Sequence, residues 1–194
     1  MESALIVDHR LSFARQVPSP NCSERPAGTV IDLLVIHNIS LPPGQYGGGH
    51  VDALFCNQLD PAAHSYFAEI AHLMVSAHLL IDRECAVSQY VPFDRKAWHA
   101  GASSFCGREN CNDFSIGIEL EGTDFEPFTA VQYERLVRVT GLITAAYPHI
   151  TPARITGHND IAPGRKTDPG PHFDWQQFRA SCQFALASEA GHNS

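Results

Sequence analysis

The chain has 194 residues, of which 44% are hydrophobic, enough for one globular domain with a sizeable core. Its formal net charge of −8 argues against nucleic acid or an anionic membrane surface as a partner. No apolar run approaches the roughly eighteen residues that a membrane-spanning helix needs.

The N-terminal stretch MESALIVDHRLSF places Glu2 directly after Met1, and its apolar run ends at Asp8 and His9. A secretory leader needs a cationic start and an apolar run of about seven residues or more, so the stretch predicts a cytoplasmic protein. Residues 1–24 read as an irregular arm, residues 25–187 as the folded domain, and residues 188–194 as a flexible tail. The six cysteines are irregularly spaced in a chain without a visible leader, which predicts reduced thiols. Cys106 and Cys111 lie close together, but no second pair completes a cysteine-rich metal site.

TVIDLLVIH (residues 29–37) is a β-branched apolar run and reads as a buried strand. A short helix is expected over 51–57, and another from Pro61 to about His72. SAHLLI (76–81) and AVSQYV (86–91) read as two strands of a hairpin turning at 82–85. A long polar loop, 92–113, contains WHAG; long ordered loops in compact domains are often functional. SIGIELEG (115–122) alternates, with Ile116, Ile118 and Leu120 facing one way and Glu119 and Glu121 the other. Glu121 reads as a solvated residue on an open face. A helix with Thr129 as N-cap is expected to about Ala146, ARITGH as a short strand, and a final helix from Asp174 to Ala187. The sum is a single α/β domain with a central mixed sheet flanked by helices.

Eleven histidines are many for this length, and most, including His9, His64, His72, His149, His172 and His192, have no partner pattern. His37 ends LLVIH and His158 ends ARITGH. Sites in open α/β sheets are built at the carboxyl ends of strands, so these two could meet. Asp168 follows on GHNDIAPGRKTDPG, a loop stiff enough in Pro and Gly to fold back. Two imidazoles and a carboxylate would leave one position of a tetrahedral Zn²⁺ open, as catalytic zinc requires. Spacing alone leaves this reading open beside a purely structural one, because no HExxH-type local signature is present. Glu119, flanked by apolar neighbours, suits a general base for a metal-activated water. Lys166 suits either an oxyanion partner or a salt bridge.

Five segments in one order carry a resemblance: LLVIHNISLPPGQYGG, VSAH, VPFDRKAWHAG, CNDFSIGIELEGTD and TGHNDIAPGRKTDPGP. Together they resemble the type 2 N-acetylmuramoyl-L-alanine amidases, a family that includes T7-lysozyme-like amidases and peptidoglycan recognition proteins. The resemblance runs from about Arg25 to Phe178. It implies His37, His158 and Asp168 as ligands of one zinc ion at the strand ends, with Glu119 activating the water and Lys166 polarising the scissile carbonyl. It implies that Asn38, Trp98, His99 and Arg165 line a sugar and peptide groove. Tyr66 matches a tyrosine position near the zinc site, and reads equally as a core aromatic of its helix.

The implied reaction is hydrolysis of the amide between the lactyl group of an anhydro-muramyl sugar and the L-alanine of its stem peptide. The implied role is recycling of wall fragments, with an influence on β-lactamase induction where that circuit exists. The expected partner is the muropeptide substrate alone, with no nucleic acid, no membrane and a monomeric chain. Two departures stand out: Met74 before VSAH and Asn110 before CNDF occupy positions often basic in such sequences. The turn DREC also lacks the usual glycine. A peptidoglycan-binding module without catalysis is the rival reading, and the presence of all three ligands weighs against it.

Overall fold

The computed structural model describes residues 5–190, with side chains to residue 182. Six strands build the central sheet: β1 (Arg15–Gln16), β2 (Leu33–Ile39), β3 (Leu79–Ile81), β4 (Val87–Gln89), β5 (Ser115–Glu121) and β6 (Ile155–Gly157). Among the described residues five α-helices accompany it: α1 (His50–Phe55), α2 (Ser65–Ile70), α3 (Ala130–Ala146), α4 (His158–Ile161) and α5 (Trp175–Ala190). The spatial order is β6-β2-β5-β3-β4-β1. All neighbours run parallel except β3 and β4, which form the expected antiparallel hairpin. Cys85 takes a φ of +68° in that hairpin's turn, the left-handed conformation that glycine would adopt at least cost.

The strand β2 forms where the apolar run predicted it, and Leu33 to His37 are all buried. Its residues split by parity. Leu34 and Ile36 join Ile116, Ile118 and Leu120 against Leu136, Val139 and Ile143 of α3 and Phe178 of α5. Each such buried side chain contributes about 1.5–3 kcal/mol relative to exposure. Leu33 and Val35 face the other way, onto Phe114 and Ile161. A further cluster places Phe55 of α1 and Phe67 of α2 against Leu80 and Tyr90. Both faces of the sheet are therefore covered.

That coverage corrects the reading of Glu121. β5 is a central strand, buried at all seven positions, and Glu121 is only 5% exposed. Its two carboxylate oxygens accept from the backbone N–H groups of Gly47 (2.6 Å) and Arg83 (3.2 Å). The alternation is real on the α3 side, but the opposite face lies under loops rather than water.

α3 begins at Thr129, whose side chain accepts from the Gln132 N–H while the Gln132 side chain accepts from the Thr129 N–H. The helix expected from Pro61 is shorter. Pro61 sits in a turn, and α2 starts after His64, whose ring accepts from the Tyr66 N–H. The segment read as an irregular arm lays down two-residue strands and supplies β1 at the sheet edge.

The long loop 92–113 is ordered by Arg25, whose guanidinium donates to the carbonyls of Phe93, Asn112, Asp113 and Ser115. Burial pushes the pKa of this guanidinium down to about 10. All six cysteines are free thiols. Among the described residues no helix is long and apolar enough to cross a membrane. α5 continues to Ala190, and residues 191–194 of the expected tail lie outside the described residues.

Candidate metal centre

Three adjacent parallel strands, β6, β2 and β5, bring His158, His37 and Glu119 together at their carboxyl ends. His37 stands opposite Glu119 in the register, and Ile36 stands opposite Gly157, so His158, the residue after β6, comes level with His37. His158 opens the short helix α4 rather than ending the strand. The loop beyond it folds back: the Asn159 N–H donates to the Asp168 carbonyl at 2.9 Å. Gly157 permits this closure. A Cβ there would lie 2.2 Å from Asn159 Oδ1 and 2.8 Å from Pro169 Cδ.

The result is a triangle of ligand atoms. His37 Nδ1 lies 3.0 Å from His158 Nδ1 and 2.9 Å from Asp168 Oδ2, and the third side, His158 Nδ1 to Asp168 Oδ2, is 3.0 Å. Among the described residues this is the group of His, Cys, Asp and Glu side chains able to hold a metal ion. Ligand atoms bonded at about 2.0–2.1 Å to one tetrahedral ion stand roughly 3.3 Å apart, so the triangle needs to open by only a few tenths of an ångström.

Proton placement favours a cation. His158 Nε2 lies 3.1 Å from the Ala100 carbonyl, which only accepts; a proton on that nitrogen completes the bond and would leave Nδ1 as a lone pair for a cation. Burial pushes His37 down to a pKa of about 4, so the ring is neutral near pH 7 and its approach to Asp168 is not an ion pair of two charges. Burial works against the charged form of Asp168. A proton on either facing imidazole nitrogen would outweigh it and hold the carboxyl well below its usual range, and a cation at that spot takes the place of the proton. A carboxylate and imidazole lone pairs pointed at one spot suit a divalent ion of borderline softness.

Glu119 is 8% exposed, and its Oε2 is buried without a hydrogen-bond partner. Burial first, and then repulsion from Asp168, raises its pKa well above the usual carboxylate value, against the opposing pull of Lys166. Lys166 is exposed at the rim, close enough for its charge to act on both Glu119 and His37.

All ten residues singled out in the sequence line one cleft of about 760 Å³. They are not equally free to meet a ligand. Asn38 donates to Asp124 Oδ1 at 2.7 Å, and Trp98 Nε1 donates to Ser23 Oγ at 3.3 Å. Arg165 spends its guanidinium on the carbonyls of Ala100 and Ala102. His99 lies between His37 and Ser115, with Nδ1 2.9 Å from His37 Nε2 and Nε2 3.1 Å from Ser115 Oγ. Tyr66 packs on the α1–α2 cluster and lines the cleft at once.

Sequence reasoning missed the rim formed by Thr123, Asp124, Phe125 and Glu126, where Phe125 is 84% exposed. It also missed His78, a buried histidine that accepts from the Gly117 N–H and whose pKa burial lowers to about 3. The glycine inside SIGIELEG was the available signal, since glycine within a strand marks close approach. Met74 is 60% exposed and lies outside the cleft lining, and Asn110 lines an adjoining pocket of about 460 Å³ that shares Arg165.

Comparison with known proteins adds a family. Residues 27–171 match the model of the Amidase_2 family, N-acetylmuramoyl-L-alanine amidase. The chain is 59% identical over 180 residues to the 1,6-anhydro-N-acetylmuramyl-L-alanine amidase AmpD of Enterobacter cloacae, covering 93% of each chain. It is 60% identical over 166 residues to AmpD of Escherichia coli (strain K12), covering 86% of this chain and 90% of the other. A crystal structure of a Se-Met AmpD derivative superposes with a TM-score of 0.89 at 58% identity, covering 91% of this chain and 98% of that one.

Proposed function

The chain belongs to the N-acetylmuramoyl-L-alanine amidase family and is an amidase of that class, and from this premise we propose that its substrate is a 1,6-anhydro-muropeptide and its metal zinc. The scissile bond is the amide joining the lactyl group of the sugar to the L-alanine of the stem peptide. In the 1,6-anhydro sugar an internal ether occupies the anomeric carbon, so the substrate is a released chain terminus rather than the interior of an intact wall. The role follows: clearance of wall fragments in the cytoplasm.

His37, His158 and Asp168 would hold the ion, and the triangle of their ligand atoms supports that assignment. When bound, zinc lowers the pKa of a water toward ~7 and polarises a carbonyl. The chain's own groups do the rest. Glu119 receives the proton of the attacking water on its carboxylate, which burial makes a stronger base than an ordinary glutamate. The Lys166 ammonium, free at the rim, stabilises the charge that develops on the carbonyl oxygen. Glu119 then delivers its proton to the leaving amine. Trp98 and Tyr66, both on the cleft wall, present faces to the sugar and stem peptide.

The observation that carries this reading is the buried, unpartnered Glu119 Oε2 beside the three converging ligand atoms. A buried polar oxygen without a partner costs about 1–3 kcal/mol unless something arrives to use it. The test is metal analysis of purified protein followed by incubation with anhydro-muramyl tripeptide, comparing wild type with Glu119→Ala by product mass. Stoichiometric zinc, cleavage by wild type and almost none by the variant is the expected result. Zinc without cleavage would make the protein a muropeptide-binding module; no zinc and no cleavage after adding metal would sink the reading.

A further inference from the structure

Both candidate ligand histidines are met on their far nitrogens by consecutive residues of one loop. His37 Nε2 faces His99 Nδ1 at 2.9 Å, and His158 Nε2 faces the Ala100 carbonyl at 3.1 Å. The loop is fixed in turn by one side chain. Asn112 Oδ1 accepts from the N–H groups of His99 (3.0 Å) and Ala100 (2.7 Å). Ser115 Oγ stands 3.1 Å from His99 Nε2.

Strand β5 makes room for this arrangement. A Cβ on Gly117 would lie 2.6 Å from His99 Cγ and Nδ1, so the imidazole rests on bare backbone. Asn112 does not line the cleft.

We propose that Asn112 and His99 are positioning residues of the metal centre, holding loop 99–100 so that His37 and His158 each present Nδ1 to the ion. The inference rests on the metal-centre reading above. It assigns the protons along the chain. Ser115 Oγ accepts from His99 Nε2–H, which leaves His99 Nδ1 bare. That nitrogen accepts from His37 Nε2–H, which leaves His37 Nδ1 bare toward the ion. The Ala100 carbonyl fixes His158 in the same sense. Asn112 therefore acts on both rings through two backbone N–H groups, without touching either.

The test is zinc affinity measured by competition with a chromophoric chelator, alongside unfolding of the metal-free proteins. His99→Leu and Asn112→Leu remove the acceptors. His99→Asn places an amide oxygen where Nδ1 stands, and Asn112→Asp keeps the acceptor that clamps the loop. Expected is a loss of about 10–100-fold in zinc affinity for each leucine variant, the usual effect of removing a partner behind a metal ligand. The two conservative variants should stay within about threefold of wild type on the same scale. Ser115→Ala should cost about 3–10-fold.

Folded leucine variants that bind zinc like wild type would overturn the proposal. So would equal losses in the leucine and conservative variants, which would reduce the loop to packing. Should the leucine variants fail to fold, Ser115→Ala decides: weakened affinity supports the chain of protons, and wild-type affinity overturns it. Wild-type protein that binds no zinc would instead refute the metal centre itself, and the inference with it.

Discussion

Glu119 and Glu121 stand two residues apart on one face of β5, both nearly inaccessible to solvent, yet their surroundings differ in kind. Around Glu121 the chain has closed: Gly47 and Arg83 deliver one backbone N–H to each oxygen, and the carboxylate anchors the glycine-rich loop to the sheet. Around Glu119 it has not, and Oε2 is left without a partner in a cleft it shares with His37, His158, Asp168 and Lys166. A buried acid whose hydrogen bonds are filled is part of the framework. One left unfilled is poised for a proton that arrives with the reactants.

The difference breaks most visibly under substitution at the first site. Glu119→Gln should lower kcat by about 10²–10⁴ while leaving the folded state as stable as wild type or more so, because an unpaired buried charge is removed. Steady-state kinetics with thermal unfolding checks both halves, and a large loss of stability would put Glu119 in the same class as Glu121. Lys166→Ala should cost about 10²–10³ in kcat with little effect on unfolding, since the side chain is exposed.

Glu121→Ala should do the reverse. It leaves two backbone N–H groups without their partners and should lower the unfolding free energy by about 1–3 kcal/mol, with a smaller change in turnover. Denaturant unfolding would read the loss, and an unaltered midpoint would show that the loop does not need its anchor.

The pH dependence sharpens the contrast further. The folded-state pKa of Glu119 is raised, so its contribution to stability is fully present below the ordinary glutamate value and is lost as pH rises through the raised one. Unfolding of chelator-treated protein should therefore show Glu119→Gln gaining on wild type as pH rises. The smallest expected effect is a control: Thr129→Ala removes the α3 cap, costs about 1 kcal/mol in unfolding and leaves kcat unchanged.

Where neighbours in sequence decide the outcome, the fold was legible. LLVIH announced β2, Thr129 and Gln132 announced the capped α3, and two short apolar runs announced the hairpin. Glu121 was misread because alternation shows that two faces differ, not what covers the second. Its cover comes from Gly47 and Arg83, far away along the chain. β1 escaped notice for the same reason: two residues acquire strand geometry only by pairing with β4. For His37, His158 and Asp168, spacing alone could not decide, since the meeting depends on β6 docking beside β2 and on the Asn159–Asp168 bond. The order of motifs, rather than local periodicity, singled them out. His99 lines the same cleft as the three ligand side chains, but its contact with His37 depends on a glycine whose meaning is steric and appears only when the loop is folded over it.

β6 has a consequence for how the molecule comes apart. It is a three-residue strand at the sheet's outer edge, bonded there to β2 alone. His158 follows it directly, while His37 stays on β2. Whatever bridges these two side chains also fastens the edge strand to its neighbour, so occupancy and edge docking form a single linked equilibrium. Loading would then be readable far from any assay of turnover, as slower amide exchange and slower proteolytic nicking across residues 155–170.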